Sequence, residues 1–251
     1  MFYLNPSKSI LVNSQIIEWD IHSANVSIMR GYNLASETKI AKIEKLDKKK
    51  RVITVGQIMR DDPAFSKALE ESFNDIVDTF MLENDLDKDD DVLSIKRDAV
   101  FVINKSVKTN SFKNNAINFV NKNQYHAFLY LRPFEFYFGP DKIDVKGLPD
   151  ENILLHENGI LRLLKDIIEI CETSNFNRVK ASKYMRDFVE AYKRRELDFD
   201  FYREFSQESK FAYYAYEEKI LTESCTLDML QQIDIESNYK NIILPLIRLV
   251  C

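Results

Sequence analysis

Residues 18–34 read EWDIHSANVSIMRGYNL, and the fold turns on how that stretch is parsed. Just before and within it, Ile16, Ile17 and Trp19 are apolar or aromatic and lead up to one carboxylate, Asp20. Small and polar residues follow, Ser23, Ala24 and Asn25, before apolar character resumes at Ile28 and Met29. The pattern predicts a strand that runs to an exposed end, presents an acid and turns into a short helix.

Outward from this stretch, residues 1–13 hold short apolar pieces around Asn5-Pro6-Ser7 and read as a hairpin or edge strand. Residues 14–20 form the first clear strand. Between 35 and 62 the chain turns polar and basic, with a Lys48-Lys49-Lys50-Arg51 run. That run reads as a solvated hairpin tip ahead of a strand over 52–58, the alternative being a phosphate-contacting loop. Pro63 then opens an amphipathic helix to about residue 84, with Leu69, Phe73, Ile76, Val77, Phe80 and Met81 on one 3.6-period stripe. The acidic run DLDKDDD at 85–91 has Asp90 and Lys96 where a calcium-binding EF-hand needs Gly and Glu, so it reads as a solvated turn. Strands follow at 92–96 and 99–103, with Lys96-Arg97-Asp98 at the bend, and again over 116–131. From 151 onward the pattern is helical. Leu154, Leu155, Ile160, Leu161, Leu164, Ile167 and Ile168 give one interior face, and Val179, Met185, Phe188, Val189 and Tyr192 a second. Residues 199–216 are dense in aromatics and read as core.

The 251 residues are 45% hydrophobic and 30% charged, enough to bury a substantial core and to place the chain among soluble globular proteins. Five Gly and six Pro exclude collagen-like and linker-like readings. A net charge of −5 excludes a generally basic nucleic-acid binder, although 35 Lys and Arg can still cluster locally. Cys171, Cys225 and Cys251 are widely spaced, with neither disulfide nor zinc spacing, and read as reduced thiols of a cytoplasmic protein. No apolar run is long enough to span a membrane, the C-terminal one being interrupted by Pro245 and Arg248. His22, His126 and His156 belong to no zinc pattern, and no phosphate-binding glycine loop or nucleophile elbow occurs.

The opening stretch resembles motif A of the family B DNA polymerases, D-x-x-S-L-Y-P-S-I followed by Y-N. Asp20, Ser23, Ser27, Ile28, Tyr32 and Asn33 fall on matching positions. Asp98, at the bend before an apolar strand, matches the second aspartate of the family's motif C. Lys122 and Tyr125 match its K-K-x-Y motif, and Lys142-Ile143-Asp144-Val145-Lys146-Gly147-Leu148 is similar to the K-x-x-x-K-G segment that ends the palm. The four partial motifs occur in family order over residues 14–150.

The resemblance implies an α+β fold. An antiparallel palm-like sheet with packed helices would span 1–150, with a short fingers-like insertion at about 35–66, and a mainly helical thumb-like region would span 151–251. It implies a reduced relative of viral or mobile-element origin. Asp20 and Asp98 would be the catalytic and metal-holding carboxylates. Ser23, Asn25 and Ser27 would line a nucleotide site, and Lys122, Tyr125, Lys146 and Gly147 would meet nucleic acid. Mg²⁺ is the implied cofactor if transfer is retained: two ions about 4 Å apart activate the attacking hydroxyl and neutralise the leaving diphosphate. The partners expected are a DNA or RNA primer–template and other replication or transcription proteins. The chain departs from the family at several points. The fingers motif K-x-x-x-N-S-x-Y-G is absent, leaving Lys45, Lys48, Lys49, Lys50, Arg51 or Arg60 to grip phosphates. Asn25 replaces the sugar-sensing tyrosine, Val26 the proline of motif A, and Lys96 the first aspartate of motif C, where its ammonium is expected to oppose a metal ion. The sequence therefore predicts a nucleic-acid-binding protein that either retains nucleotidyl transfer or is a non-catalytic polymerase-derived subunit or protein-interaction module.

Overall fold

The structure, a computed structural model, describes residues 2–147, 157–194, 196 and 243–250. The chain divides into two units, one of Met1–Lys8 and Ser14–Gln124, the other of Ser9–Asn13 and Tyr125–Cys251. The division at 124/125 falls earlier than the 150/151 boundary implied by the resemblance, because the last three strands join the second unit. The aromatic segment 199–216 and Leu154 and Leu155 lie outside the described residues. Among the described residues no helix is long and apolar enough to cross a membrane.

In the first unit, strands β1 (Phe2–Leu4), β3 (Ile16–Ile21), β4 (Val92–Lys96), β5 (Ala99–Ile103), β6 (Ser111–Phe112) and β7 (Ile117–Tyr125) form one sheet in the order β1-β4-β5-β3-β7-β6. The β1–β4, β4–β5, β3–β5 and β6–β7 pairs are antiparallel. Alternation sorts β3 into two faces. Ile17, Trp19 and Ile21 lie on one, and Ile16, Glu18 and Asp20 on the other, opposite Ile103, Phe101 and Ala99 of β5.

Four helices connect β3 to β4: α1 (Ala24–Gly31), α2 (Glu37–Glu44), α3 (Lys48–Asp61) and α4 (Pro63–Glu83). The stripe read from the sequence is the buried face of α4. Leu69, Phe73, Ile76, Val77 and Phe80 share one core with Ile95, Val100, Val102 and Phe119 from the sheet. Phe80 stacks on Phe119 at 4.1 Å between centroids. Pro63 opens this helix and Asp62 caps it, its Oδ1 accepting the Phe65 N–H at 2.9 Å.

Between α1 and α4 the structure corrects the sequence reading: residues 48–61 are helix, and the four-cation run is its first turn rather than a hairpin tip. Asp47 supplies the cap, accepting the Lys50 N–H at 2.9 Å. Val52 and Ile53, the residues that suggested a strand, are exposed, while Val55 is buried. Of the two readings of residues 1–13, hairpin or edge strand, the structure takes the second. β1 is an edge strand of the six-stranded sheet, and β2 (Ile10–Leu11) joins the other sheet.

In the second unit, β8 (Ala127–Leu131), β9 (Phe134–Phe138) and β10 (Ile143–Lys146) form a four-stranded antiparallel sheet with β2, in the order β10-β9-β8-β2. Its core joins Leu129, Leu131, Phe136 and Phe138 to Leu164 and Ile167 of α5 (Glu157–Thr173), Met185 of α6 (Arg178–Arg194) and Leu246 of α7 (Leu244–Val250). Val179, expected in a helix interior, is instead exposed.

Candidate functional site

Asp20 lies near the end of β3, and Asp98 in the turn that leads into its neighbour β5. Asp20 is opposite Ala99, and Ile21 N–H donates to the Asp98 carbonyl at 3.0 Å. Asp98 occupies the two-residue turn that joins β4 to β5, where Lys96 pairs with Ala99 and Arg97 adopts φ 56°. A non-glycine residue in that region is uncommon and marks a turn held by its surroundings. Here the Arg97 guanidinium lies over the Phe73 ring, 4.6 Å from its centroid.

Both aspartates line one cavity of about 420 Å³ with Ser23, which precedes α1, Ala24 and Asn25 at the start of α1, Lys48 and Arg51 of α3, and Arg97. Ser23 precedes α1 at φ 49°, its hydroxyl accepting a hydrogen bond from Arg51 Nη1 at 3.2 Å. The lining therefore combines two carboxylates with three cations. Burial, together with the charge of Asp20, pushes the Asp98 carboxyl above the usual carboxylate range, against smaller opposing effects of Arg97 and Lys122.

The cation that contacts Asp20 is Lys122 of β7. Its Nζ donates to Asp20 Oδ2 and lies 3.6 Å from Glu18 Oε1. Burial pulls the Lys122 ammonium down, but the bond to Asp20 and the charges of Asp20, Glu18 and Asp98 prevail and raise it. Glu18 is buried and accepts from Asn123 Nδ2 at 2.7 Å. Lys96 does not take the place expected of it. It lies two strands from Asp20, about 10 Å at ordinary strand spacing, and does not line the cavity.

The other residues singled out in the sequence scatter. Ser27 is buried and donates to the His22 carbonyl at 2.7 Å, away from the cavity. Tyr125, Lys146 and Gly147 belong to the second unit. Tyr125 is buried, its hydroxyl donating to Asp144 Oδ2 at 2.7 Å. Gly147 adopts φ 85°, and a Cβ there would meet the Pro133 carbonyl oxygen at 2.2 Å, so glycine at this position has a conformational cause.

Sequence reading missed Glu18, Arg97 and the joint placement of Lys48 and Arg51. Glu18 was available from strand alternation, being two residues before Asp20. The i, i+3 pairing of Lys48 and Arg51 becomes visible only once 48–61 is read as helix.

Among the described residues no group of three or more His, Cys, Asp and Glu side chains is placed to hold a metal ion. Two crowded carboxylates facing cations suit Mg²⁺ that arrives on a polyphosphate, since that ion favours one or two carboxylates plus phosphate and water oxygens.

No curated protein matches the chain. One family model, described as "Bacteriophage PBS1 gene 130 protein", matches residues 1–251, and the chain belongs to that phage protein family.

Proposed function

We propose that this phage protein is a nucleic-acid-binding protein built on a reduced palm of the family B polymerase type, with a nucleotide site between the paired aspartates and α3. The observation that carries the reading is the common cavity of Asp20, Asp98, Lys48 and Arg51. Strand order supports it: β4-β5-β3-β7, with helices on one face, follows the ferredoxin-like plan with its second helix missing. In that arrangement the end of the first strand and the hairpin of the next two meet at the middle of the sheet.

Nucleotidyl transfer joins a primer 3′-oxygen to an α-phosphorus and releases diphosphate. Lys48 and Arg51, one helical turn apart, would hold the β- and γ-phosphates in place of the missing fingers lysine. Asp20 and Asp98 would hold Mg²⁺, which when bound supplies charge to both the attacking and leaving oxygens. Ser23 would keep Arg51 aimed into the cavity, and Asn25 would face the sugar with an amide where the family has a ring.

A second reading, a polymerase-derived subunit that binds without transfer, is favoured by the ion pair between Lys122 and Asp20, which occupies one of the two carboxylates. Primer extension with Mg²⁺ or Mn²⁺ separates them, run on the wild type, Asp98→Asn and the Lys48→Gln/Arg51→Gln double variant beside a duplex-binding assay. Extension abolished by Asp98→Asn establishes transfer. Duplex binding without extension establishes the second reading. Absence of both overturns the proposal.

A further inference from the structure

We propose that Lys122 is a built-in counter-ion that excludes divalent cations from Asp20 until a nucleic-acid phosphate draws its ammonium away. The inference rests on the nucleic-acid reading above and concerns how that site is switched on. Lys122 Nζ holds Asp20 Oδ2 and approaches Glu18, so an ammonium stands where an ion would have to bind. Exposure is distributed so that the cation can leave: the Lys122 side chain is 49% exposed, Asp20 18% and Glu18 3%. A phosphate arriving from solvent therefore reaches Lys122 before it reaches the carboxylates.

Departure of Lys122 does not strand Glu18, because Asn123, the next residue on the same strand, already donates to its Oε2. Asp20 is left to the other lining groups of the cavity, Asp98, Lys48 and Arg51 among them. The exchange conserves pairing: phosphate takes the ammonium, and Asp20 takes the divalent ion together with Asp98. Metal and nucleic acid thus bind with positive coupling, each favouring the state the other needs. An isolated carboxylate pair would instead collect Mg²⁺ in the absence of substrate.

The test is Mn²⁺ binding followed by electron paramagnetic resonance on the whole chain, for the wild type, Lys122→Met and Lys122→Gln, each with and without a short primer–template duplex. Circular dichroism reports folding, and the two variants guard against failure of either. Free wild type should bind Mn²⁺ at least about tenfold more weakly than either variant, given the repulsion between an ammonium and a divalent ion at contact distance. Duplex should tighten Mn²⁺ binding by the wild type by a similar factor and leave the variants unchanged. Equal Mn²⁺ affinity of folded variants and free wild type overturns the exclusion. Bound duplex that leaves wild-type Mn²⁺ affinity unchanged overturns the phosphate trigger. A wild type that binds no duplex at low salt defeats the nucleic-acid reading, while the comparison without duplex still decides the exclusion.

Discussion

Asp98 is half-buried beside another carboxylate, and that placement has a measurable consequence. Its carboxyl is raised by burial and by Asp20, so the protonated form is the one folding favours. The linked stability is present below the unfolded-state value and is lost as pH rises through the folded one. Asp98→Asn should therefore raise the thermal midpoint at pH 7.5 by about 1–2 °C, a small effect because solvent screens the half-exposed carboxylate. The gain should vanish near pH 3, where the aspartate is itself protonated. Thermal unfolding by circular dichroism at the two pH values checks it, and no gain at pH 7.5 would show that the crowding is relieved. Gly147→Ala should cost at least about 2 kcal/mol in denaturant unfolding, because the new methyl meets a backbone oxygen. A loss of nucleic-acid affinity at unchanged stability would contradict the conformational explanation. At this scale Asp20 and Asp98 were legible, since a carboxylate at the end of an apolar strand stands out from its neighbours. Lys122 was legible only as a motif match. Its bond to Asp20 depends on β7 lying beside β3, and pairing between residues 102 positions apart leaves no trace in local sequence. Ser27 was misjudged because a serine early in a helix can equally bond the preceding turn.

Helix α3 is the element where sequence and structure part. Val52, Ile53, Thr54 and Val55 favour strand by their branching at Cβ, and branching carries only a weak prior. Capping by Asp47 and the inward placement of Val55 outweigh it. By contrast α4, β4 and β5 were readable almost to the residue, because each has a strong period and a clear punctuation mark: Pro63, the acidic turn and the Arg97–Asp98 bend. Gly56 lies inside α3 with open space around its would-be Cβ. Gly56→Ala should stabilise the protein by about 0.5–1 kcal/mol, read as a higher denaturant midpoint at unchanged slope. Stabilisation accompanied by weaker nucleotide binding would show that α3 must bend for Lys48 and Arg51 to reach phosphate.

Taken whole, the molecule carries a net charge of −5, so the phosphate binding proposed above has to be local. The contact assigned to Lys122 should contribute about 0.9 to the log–log salt slope on duplex DNA, as about 0.9 of a counterion is released per phosphate. Lys122→Gln should flatten the slope by about one, measured by fluorescence anisotropy between 25 and 200 mM salt. A slope of zero would mean that whatever binds is not held through phosphates. The α+β class was visible at this scale. The division into units was not, because Ser9–Asn13 joins strands made much later in the chain. Leu11 pairs with Phe128, and Ile10 with Leu129. During synthesis β2 leaves the ribosome long before its partner exists, and at about 5–20 residues per second it waits several seconds for β8. The second sheet therefore gains its outer strand only from a piece of chain translated well before its other three strands.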